Sequence, residues 1–333
     1  MTQLENDEIK HQIYLERYKT GEANKIVKLL DDANKKIIKE LKVVDSVYSK
    51  ARYEELNRLL KALSKELKEN IDTSTDIDGI IEYELEKQKK LFNVASKDVN
   101  VDFLYPSLEQ VKKSALFTPI VPSMTYQSYL EGIQQGFYNQ WDSAIRTGYL
   151  TSETTQKIIK DVMGSLTRPS QVLDKGTMTT LRNSVYRNTR TTLQAFASET
   201  RRAVYERDQE FISGYKFLAT LDRRTCVICG NYDGKIFKNL EDAPAIPIHY
   251  NCRCVLVPII KGVDVIADER PEEWGTVKGT VTYKEWLESQ PDFIQKEILG
   301  ERRYNMYKSG VSFDSFTEGF EILTLKELRD KLN

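Results

Sequence analysis

The chain has 333 residues, which is enough for two or three domains. Its 49 basic and 50 acidic residues nearly cancel, which excludes a uniformly basic protein that coats nucleic acid but leaves room for a local basic patch. The sequence contains no apolar run near the roughly 18 residues that a membrane helix needs. The N-terminus is acidic and polar, unlike a secretory leader, so we expect synthesis in a reducing cytoplasm.

The first hundred or so residues are predicted to be almost wholly helical. Apolar residues recur every three or four positions, as in the stretch 26–41, while Lys and Glu fill the other faces. A polar break at 72–79 separates these helices from a further helix at 80–92. His11 lies in a polar part of this region and is predicted to be at the surface.

The middle of the chain is predicted to continue as helices separated by short breaks. Two prolines, Pro119 and Pro122, predict a hinge or loop at 117–125. Helical periodicity resumes at 126–147 and again from Ser152.

The segment 177–210 is predicted to form one long helix, after interruptions at Arg168-Pro169 and 174–176. Basic residues outnumber acidic ones around it. A solvated face with some intrahelical ion pairs is one interpretation. The other is a surface that binds duplex DNA weakly and without sequence preference, because guanidinium groups form forked hydrogen bonds with phosphate oxygens. The arginines predicted to contact DNA are Arg182, Arg187, Arg190, Arg201 and Arg202.

After Gly214 the periodicity changes to that of strands. Strands are predicted at 215–221, at 235–237 after a tight Asp233-Gly234 turn, and at 254–258. Together they predict a small sheet whose strand ends carry the cysteines.

The C-terminal region contains two capping-box patterns, Thr282-x-x-Glu285 and Thr324-x-x-Glu327, each of which predicts the start of a helix. The fold class is therefore predicted to be α+β, with long N-terminal helices, then a helical segment and a small β-rich domain that carries a Cys/His metal clip. The predicted domains are a helical region at 1–120, a further helical part at 121–212, the β-rich metal module at 213–262 and a helical tail at 263–333.

The four cysteines and one of the two histidines lie close together in the sequence. A Cys-x2-Cys pair is followed, after residues 230–248, by His-x2-Cys-x-Cys, a spacing that suits soft ligands around one tetrahedral Zn2+ ion. Because five candidates compete for four positions, one of the last three is expected to lie outside the coordination shell. The candidate ligands are Cys226, Cys229, His249, Cys252 and Cys254.

Other interpretations of these thiols stay open. Two disulfides require an oxidising compartment, which the N-terminus does not predict. A redox-active Cys-x2-Cys normally opens a helix in a βαβ unit, whereas Gly230 and Asp233-Gly234 predict turns here. Four reduced structural thiols are the remaining alternative.

Few residues are available for catalysis. The sequence contains no Gly-rich phosphate loop, no Gly-x-Ser-x-Gly and no His-Glu-x-x-His. A zinc ion with an open position could activate water for hydrolysis, but a cysteine-dominated ligand set disfavours this because thiolates reduce the Lewis acidity of the metal. We expect a protein that is not an enzyme, with a zinc-dependent hydrolase or nuclease as the alternative.

Two segments carry a family resemblance. The stretch 214–237, which contains Asp222-x-Arg-Thr-Cys-x-x-Cys229, and the segment His249-Tyr-Asn-Cys-Arg-Cys254 closely resemble the Mu F-like head-morphogenesis domain of phage minor head proteins. The arginine-bearing helix and the tail, at 282–291 and 298–302, are also similar to that group, so the resemblance covers about 125–333.

The resemblance implies a virion component that is made alongside the portal protein. Such a protein lies inside the head near the portal in few copies and acts in head morphogenesis and in genome packaging or ejection. The implied partners are the portal protein, the major capsid or scaffolding protein and packaged double-stranded DNA, with no membrane segment. The zinc ion is inferred from the cysteines and histidine of this chain, because relatives do not always have the complete set.

Overall fold

The computed structural model describes residues 3–43, 49–99, 103–168, 171–174, 176–262 and 269–332. The helices are α1 (Gln3–Leu41), α2 (Lys50–Ser74), α3 (Ile77–Val99), α4 (Leu108–Phe117), α5 (Tyr126–Thr151), α6 (Thr155–Met163), α7 (Thr177–Tyr205), α8 (Val227–Tyr232), α9 (Tyr283–Ser289), α10 (Asp292–Lys308) and α11 (Leu325–Leu332). The strands are β1 (Ser165–Arg168), β2 (Gln171–Asp174), β3 (Ile212–Leu218), β4 (Ile236–Phe237), β5 (Val255–Ile260), β6 (Glu269–Glu272), β7 (Gly275–Lys278), β8 (Thr317–Glu318) and β9 (Glu321–Ile322).

The long N-terminal helices confirm the helical periodicity of the sequence. The buried face of α2 consists mainly of leucines and an isoleucine three or four positions apart. Ser49 caps the first turn of this helix by accepting a hydrogen bond from the Arg52 N–H at 3.2 Å. The break predicted at 72–79 is the junction between α2 and α3. Among the described residues, no helix combines the length and the apolar character that crossing a membrane requires.

The chain folds into two compact units, each assembled from separate stretches of sequence. Unit 1 comprises Met1–Arg17, Asp78–Ala115 and Gln194–Asn333, and unit 2 comprises Tyr18–Ile77 and Leu116–Leu193. This division differs from the four consecutive domains predicted above. The units divide within the long helices α1 and α7, where the composition of the sequence does not change. A helix that contributes residues to two cores has no loop or polar linker that would mark the boundary in the sequence.

Unit 2 is a helical unit built mainly on α2 and α5. The α5 side chains Phe137 and Trp141 are fully buried. The Trp141 indole N–H donates to Asn34 Oδ1 at 2.8 Å, so the polar atom of this large side chain has a partner. Asn57 of α2 donates to Asp142 Oδ1 of α5 at 2.6 Å, which links the two helices by a polar contact beside their apolar faces.

Unit 1 contains the predicted small sheet. Its strand order is β4-β3-β5, and both pairings are antiparallel. Leu218 lies opposite Val255, so the segment leading to the first cysteine pair and the segment leaving the second are neighbours. Ile9 of α1 packs against Leu218, Val255 and Val257. The start of the chain is therefore part of the same core as the sheet.

The C-terminal tail packs on the cysteine-bearing segment and does not form a separate domain. Val227 of α8 shares an apolar cluster with Tyr283 and Trp286 of α9. Gly230 is required at the contact between α8 and α9, since a Cβ added there would lie 2.3 Å from Tyr283 Cδ1. The capping boxes at Thr282 and Thr324 are both formed as predicted. The helix α10 and the hairpin β6–β7 were not predicted.

Candidate metal centre

The first cysteine pair is positioned by the start of α8. Cys226 is the N-cap residue of this six-residue helix, and its Sγ accepts a hydrogen bond from the Cys229 N–H at 3.4 Å. The prediction that Gly230 and Asp233-Gly234 would make this segment a turn is wrong for Gly230, which is helical. Gly234 does form the turn, with a φ of 83° that favours glycine, and it leads into β4.

His249 directs one ring nitrogen at this pair. Its Nε2 lies 3.0 Å from Cys226 Sγ and 3.2 Å from Cys229 Sγ. Its Nδ1 lies 2.8 Å from the Tyr250 carbonyl oxygen, a geometry in which Nδ1–H donates to that carbonyl. This hydrogen bond orients the ring so that the other nitrogen, Nε2, faces the two sulfurs, as in metal-ligating histidines.

The second cysteine pair completes the cluster. The ligand atoms form two groups, Cys226 with Cys229 and His249, and Cys229 with Cys252 and Cys254, and within each group all atoms lie within 4.8 Å of one another. The Sγ atoms of Cys229 and Cys252 are 4.0 Å apart. Four ligands about 2.3 Å from a tetrahedral zinc ion lie roughly 3.8 Å from one another. All five predicted candidates are therefore brought together in two groups that share Cys229.

The thiol groups of the cluster differ in acidity. Hydrogen bonds with Cys229 and His249 lower the pKa of Cys226 to about 5. Hydrogen bonds with Cys229 and Cys254 hold the pKa of Cys252 well below its usual range. Each half of the cluster pairs one of these acidic thiols with a less acidic one, because the hydrogen bond with Cys226 raises the pKa of Cys229 and burial raises the pKa of Cys254. The hydrogen bond with Cys226 raises the pKa of His249 to about 9, so at neutral pH Nε2 carries a proton that a metal ion would have to displace. The four cysteines are free, so the donor set is one imidazole and four thiol or thiolate groups.

A second charged cluster in unit 1 corrects two sequence predictions. Arg201 is only 2% exposed, and its Nε donates to Glu84 Oε1 at 2.6 Å. The prediction that Arg201 contacts DNA is wrong, because this guanidinium group is fully buried and bound to a carboxylate. His11 is also buried and not at the surface, with its Nε2 2.7 Å from Glu84 Oε2. Glu8 lies beside them, with Oε2 at 3.6 Å from Arg201 Nε.

The other predicted DNA-binding arginines have protein acceptors nearby. Arg182 forms an ion pair with Asp31 at 2.9 Å, and Arg190 Nη1 donates to Thr20 Oγ1 at 3.1 Å. Arg202 Nη2 donates to the Leu240 carbonyl at 3.2 Å. Arg187 is half-buried, with Nε 3.2 Å from the Asn188 side-chain oxygen. These contacts favour the interpretation of α7 as a helix whose arginines are engaged by the protein.

Sequence reasoning also missed Asp233 as a structural residue. Its Oδ1 accepts hydrogen bonds from the Ala219 N–H at 2.8 Å and from Arg270 Nη2 at 2.7 Å. Its Oδ2 accepts from Arg270 Nη1 at 2.9 Å and from the Tyr283 N–H at 2.8 Å. Asp233 directly follows α8, and its carboxylate connects the end of β3, the hairpin strand β6 and the start of α9. The sequence signalled only a turn at this position.

The family comparison covers this region of the chain. Residues 135–257 match the profile of the family described as Phage Mu protein F like protein. The chain carries a Mu F-like domain. The match confirms the resemblance over a shorter span than the sequence motifs suggested, and this Mu F-like span includes α7, the sheet β4-β3-β5 as far as Val257, and all five candidate ligands. Comparisons with curated proteins and with solved structures give no match.

Proposed function

We propose that the chain is a structural minor head protein of a tailed bacteriophage, located inside the head near the portal and acting in head morphogenesis and in genome packaging or ejection. The match of residues 135–257 to the Mu F-like family carries this proposal, because it supports a role in the phage head. The long helices of the N-terminal region offer extended polar surfaces for the portal protein and for the major capsid or scaffolding protein.

We further propose that the cysteine cluster holds one structural zinc ion. Cys226, Cys229 and His249 supply three ligands, and Cys252 supplies the fourth because its sulfur lies 4.0 Å from that of Cys229. Cys252 also repeats the arrangement of Cys226, since each sulfur accepts a backbone N–H from a following cysteine. Cys254 then lies outside the coordination shell. Four protein ligands leave no position for an activated water, which supports a structural role over a hydrolase or nuclease.

Protein purified without chelators is expected to contain one zinc ion per chain. Cys252→Ser should abolish stoichiometric zinc binding, because the change removes a thiolate ligand. Cys254→Ser is the matched control and should keep one zinc ion. Elemental analysis of the three proteins measures this directly. A wild-type chain without zinc, or a Cys254→Ser variant that loses zinc while Cys252→Ser keeps it, would contradict the ligand assignment.

Virions of a phage that encodes this chain are expected to contain the protein in few copies. Mass spectrometry of purified, DNA-filled heads tests this, and cross-linking should connect the protein to the portal. Its absence from mature heads would contradict the proposal. A nuclease assay with added zinc on wild type and Cys229→Ser tests the enzymatic alternative, and cleavage by wild type that is lost in the variant would favour an enzyme.

The contacts of helix α7 disfavour DNA binding by its arginines. Arg201 is buried against Glu84, and Arg182, Arg190 and Arg202 each donate to an oxygen of the protein. A phosphate would compete with these acceptors for the same guanidinium groups.

A further inference from the structure

An ion pair connects the two segments that carry the candidate metal ligands. Both guanidinium Nη atoms of Arg253 donate to the carboxylate of Asp222, with Nη2 2.6 Å from Oδ1. The side chains are 11% and 17% exposed, so water screens this pair only partly. Asp222 precedes the first cysteine pair, and Arg253 stands between Cys252 and Cys254.

Asp222 also shapes the turn that leads to the first ligand. Its Oδ1 accepts the Arg224 N–H at 2.9 Å and the Thr225 N–H at 3.1 Å. The Thr225 hydroxyl in turn donates to the Thr220 carbonyl at 2.7 Å. The carboxylate of Asp222 therefore fixes the backbone of the turn that directly precedes Cys226. The same carboxylate binds Arg253, which lies in the segment with the second cysteine pair.

Contacts other than metal ligation also close this part of the chain. Asp222 and Arg253 are separated by 31 residues, and the antiparallel pairing of Leu218 with Val255 brings the same two segments together. The helix that begins after Cys226 is held from the other side by the apolar cluster of Val227, Tyr283 and their neighbours. The loop-closure entropy is thus offset by strand pairing, the ion pair and apolar burial.

We propose that Asp222 and Arg253 are positioning residues that hold the two halves of the cluster in register before the metal binds, so that zinc enters a preformed site and is not needed for this part of the fold. This inference rests on the proposed zinc site. It distinguishes the chain from small zinc modules whose metal-free form is unfolded. It also gives a physical role to the aspartate and arginine of the motifs that flank the cysteines.

Full-length protein stripped with a chelator is expected to keep its near-ultraviolet circular dichroism and its backbone amide spectrum. Co2+ titration should then restore a tetrahedral thiolate spectrum. Asp222→Asn removes the charge but keeps an acceptor for the turn, and Arg253→Lys keeps the charge but loses the fork. Each variant should bind Zn2+ about 10–100-fold more weakly in competition with a chromophoric chelator, as for other groups that orient metal ligands.

Arg223→Gln is the matched control, because it removes an exposed ion pair with Glu273 from the same turn. This variant should bind zinc like wild type. Unchanged zinc affinity in both Asp222→Asn and Arg253→Lys would overturn the inference, and so would loss of tertiary structure from the wild-type chain on chelation. A wild-type chain that binds neither Co2+ nor Zn2+ would contradict the zinc site itself, which separates the two failures.

Discussion

Replacing Arg201 with methionine should lower the free energy of unfolding by about 3–5 kcal/mol, because it leaves buried carboxylates without their counter-charge. The side chains of Glu84 and Glu8 are 0% and 1% exposed. Methionine fills much of the volume of the arginine stem, so the loss reports the missing charge more than a cavity. Urea denaturation near pH 7, followed by circular dichroism, measures the difference.

The pH dependence of this effect has a defined sign. Burial by itself raises the pKa of Glu84, but Arg201 and the hydrogen bond with His11 more than offset it and lower the pKa to about 2. In wild type, this carboxylate contributes stability above its unfolded pKa near 4.5, and the contribution is lost as the pH falls toward 2. In the variant the buried carboxylate favours its neutral form, so acidification should relieve the destabilisation.

Arg182→Met is the control for Arg201→Met. Arg182 is 44% exposed in its ion pair with Asp31, so its loss should cost less than about 1 kcal/mol. If Arg201 instead bound DNA, Arg201→Met should weaken DNA binding and leave the free energy of unfolding unchanged. A variant Arg201→Met that is as stable as wild type but binds duplex DNA more weakly at low salt would contradict the structural role assigned to this residue.

Local patterns in the sequence were sufficient for the elements that depend on near neighbours. The leucine periodicity of α2, the capping boxes at Thr282 and Thr324 and the strand after Asp233-Gly234 each depend on residues a few positions apart. Cores assembled from distant stretches left no such pattern. The hydrogen bond between His11 and Glu84 joins residues 73 positions apart. Because its partner is so distant in the sequence, the polar face of α1 that carries His11 was predicted to be exposed, although it is buried. The i, i+3, i+4 spacing of Glu8, His11 and Gln12 was the available signal for a polar stripe facing inward.

The cluster of cysteines and His249 was predictable in its members and not in its arrangement. Spacing identified five ligand candidates because short Cys-x2-Cys and His-x2-Cys segments constrain their own geometry. It could not show that Cys226 caps a helix, because Gly230 favours a turn locally. The reason for glycine at this position is its close contact with Tyr283, a residue distant in the sequence. The contact between Asp222 and Arg253 likewise depends on the pairing of β3 with β5. Sequence periodicity predicts these two segments to be strands but does not predict that they are neighbours.

Asp233→Ala is expected to destabilise unit 1 by about 3–5 kcal/mol, because Arg270 would be left buried without its partner. The two side chains are 0% and 4% exposed, and Asp233 also accepts backbone N–H groups from Ala219 and Tyr283. Arg270→Met should cost a similar amount for the complementary reason. Thermal or urea denaturation, monitored by the fluorescence of Trp286 and the other tryptophans, measures both changes.

The double variant Asp233→Ala/Arg270→Met decides whether charge burial causes these losses. Removing both charges avoids an unpaired buried ion, so the double variant should be clearly more stable than the sum of the two single losses predicts. The residual cost comes from the N–H groups of Ala219 and Tyr283, which lose their acceptor. Asp314→Ala is the surface control, since its ion pair with Lys284 is 53% and 41% exposed and should contribute less than about 1 kcal/mol. Strictly additive losses in the double variant would show that the two residues stabilise unit 1 independently and would contradict a buried ion pair at this position.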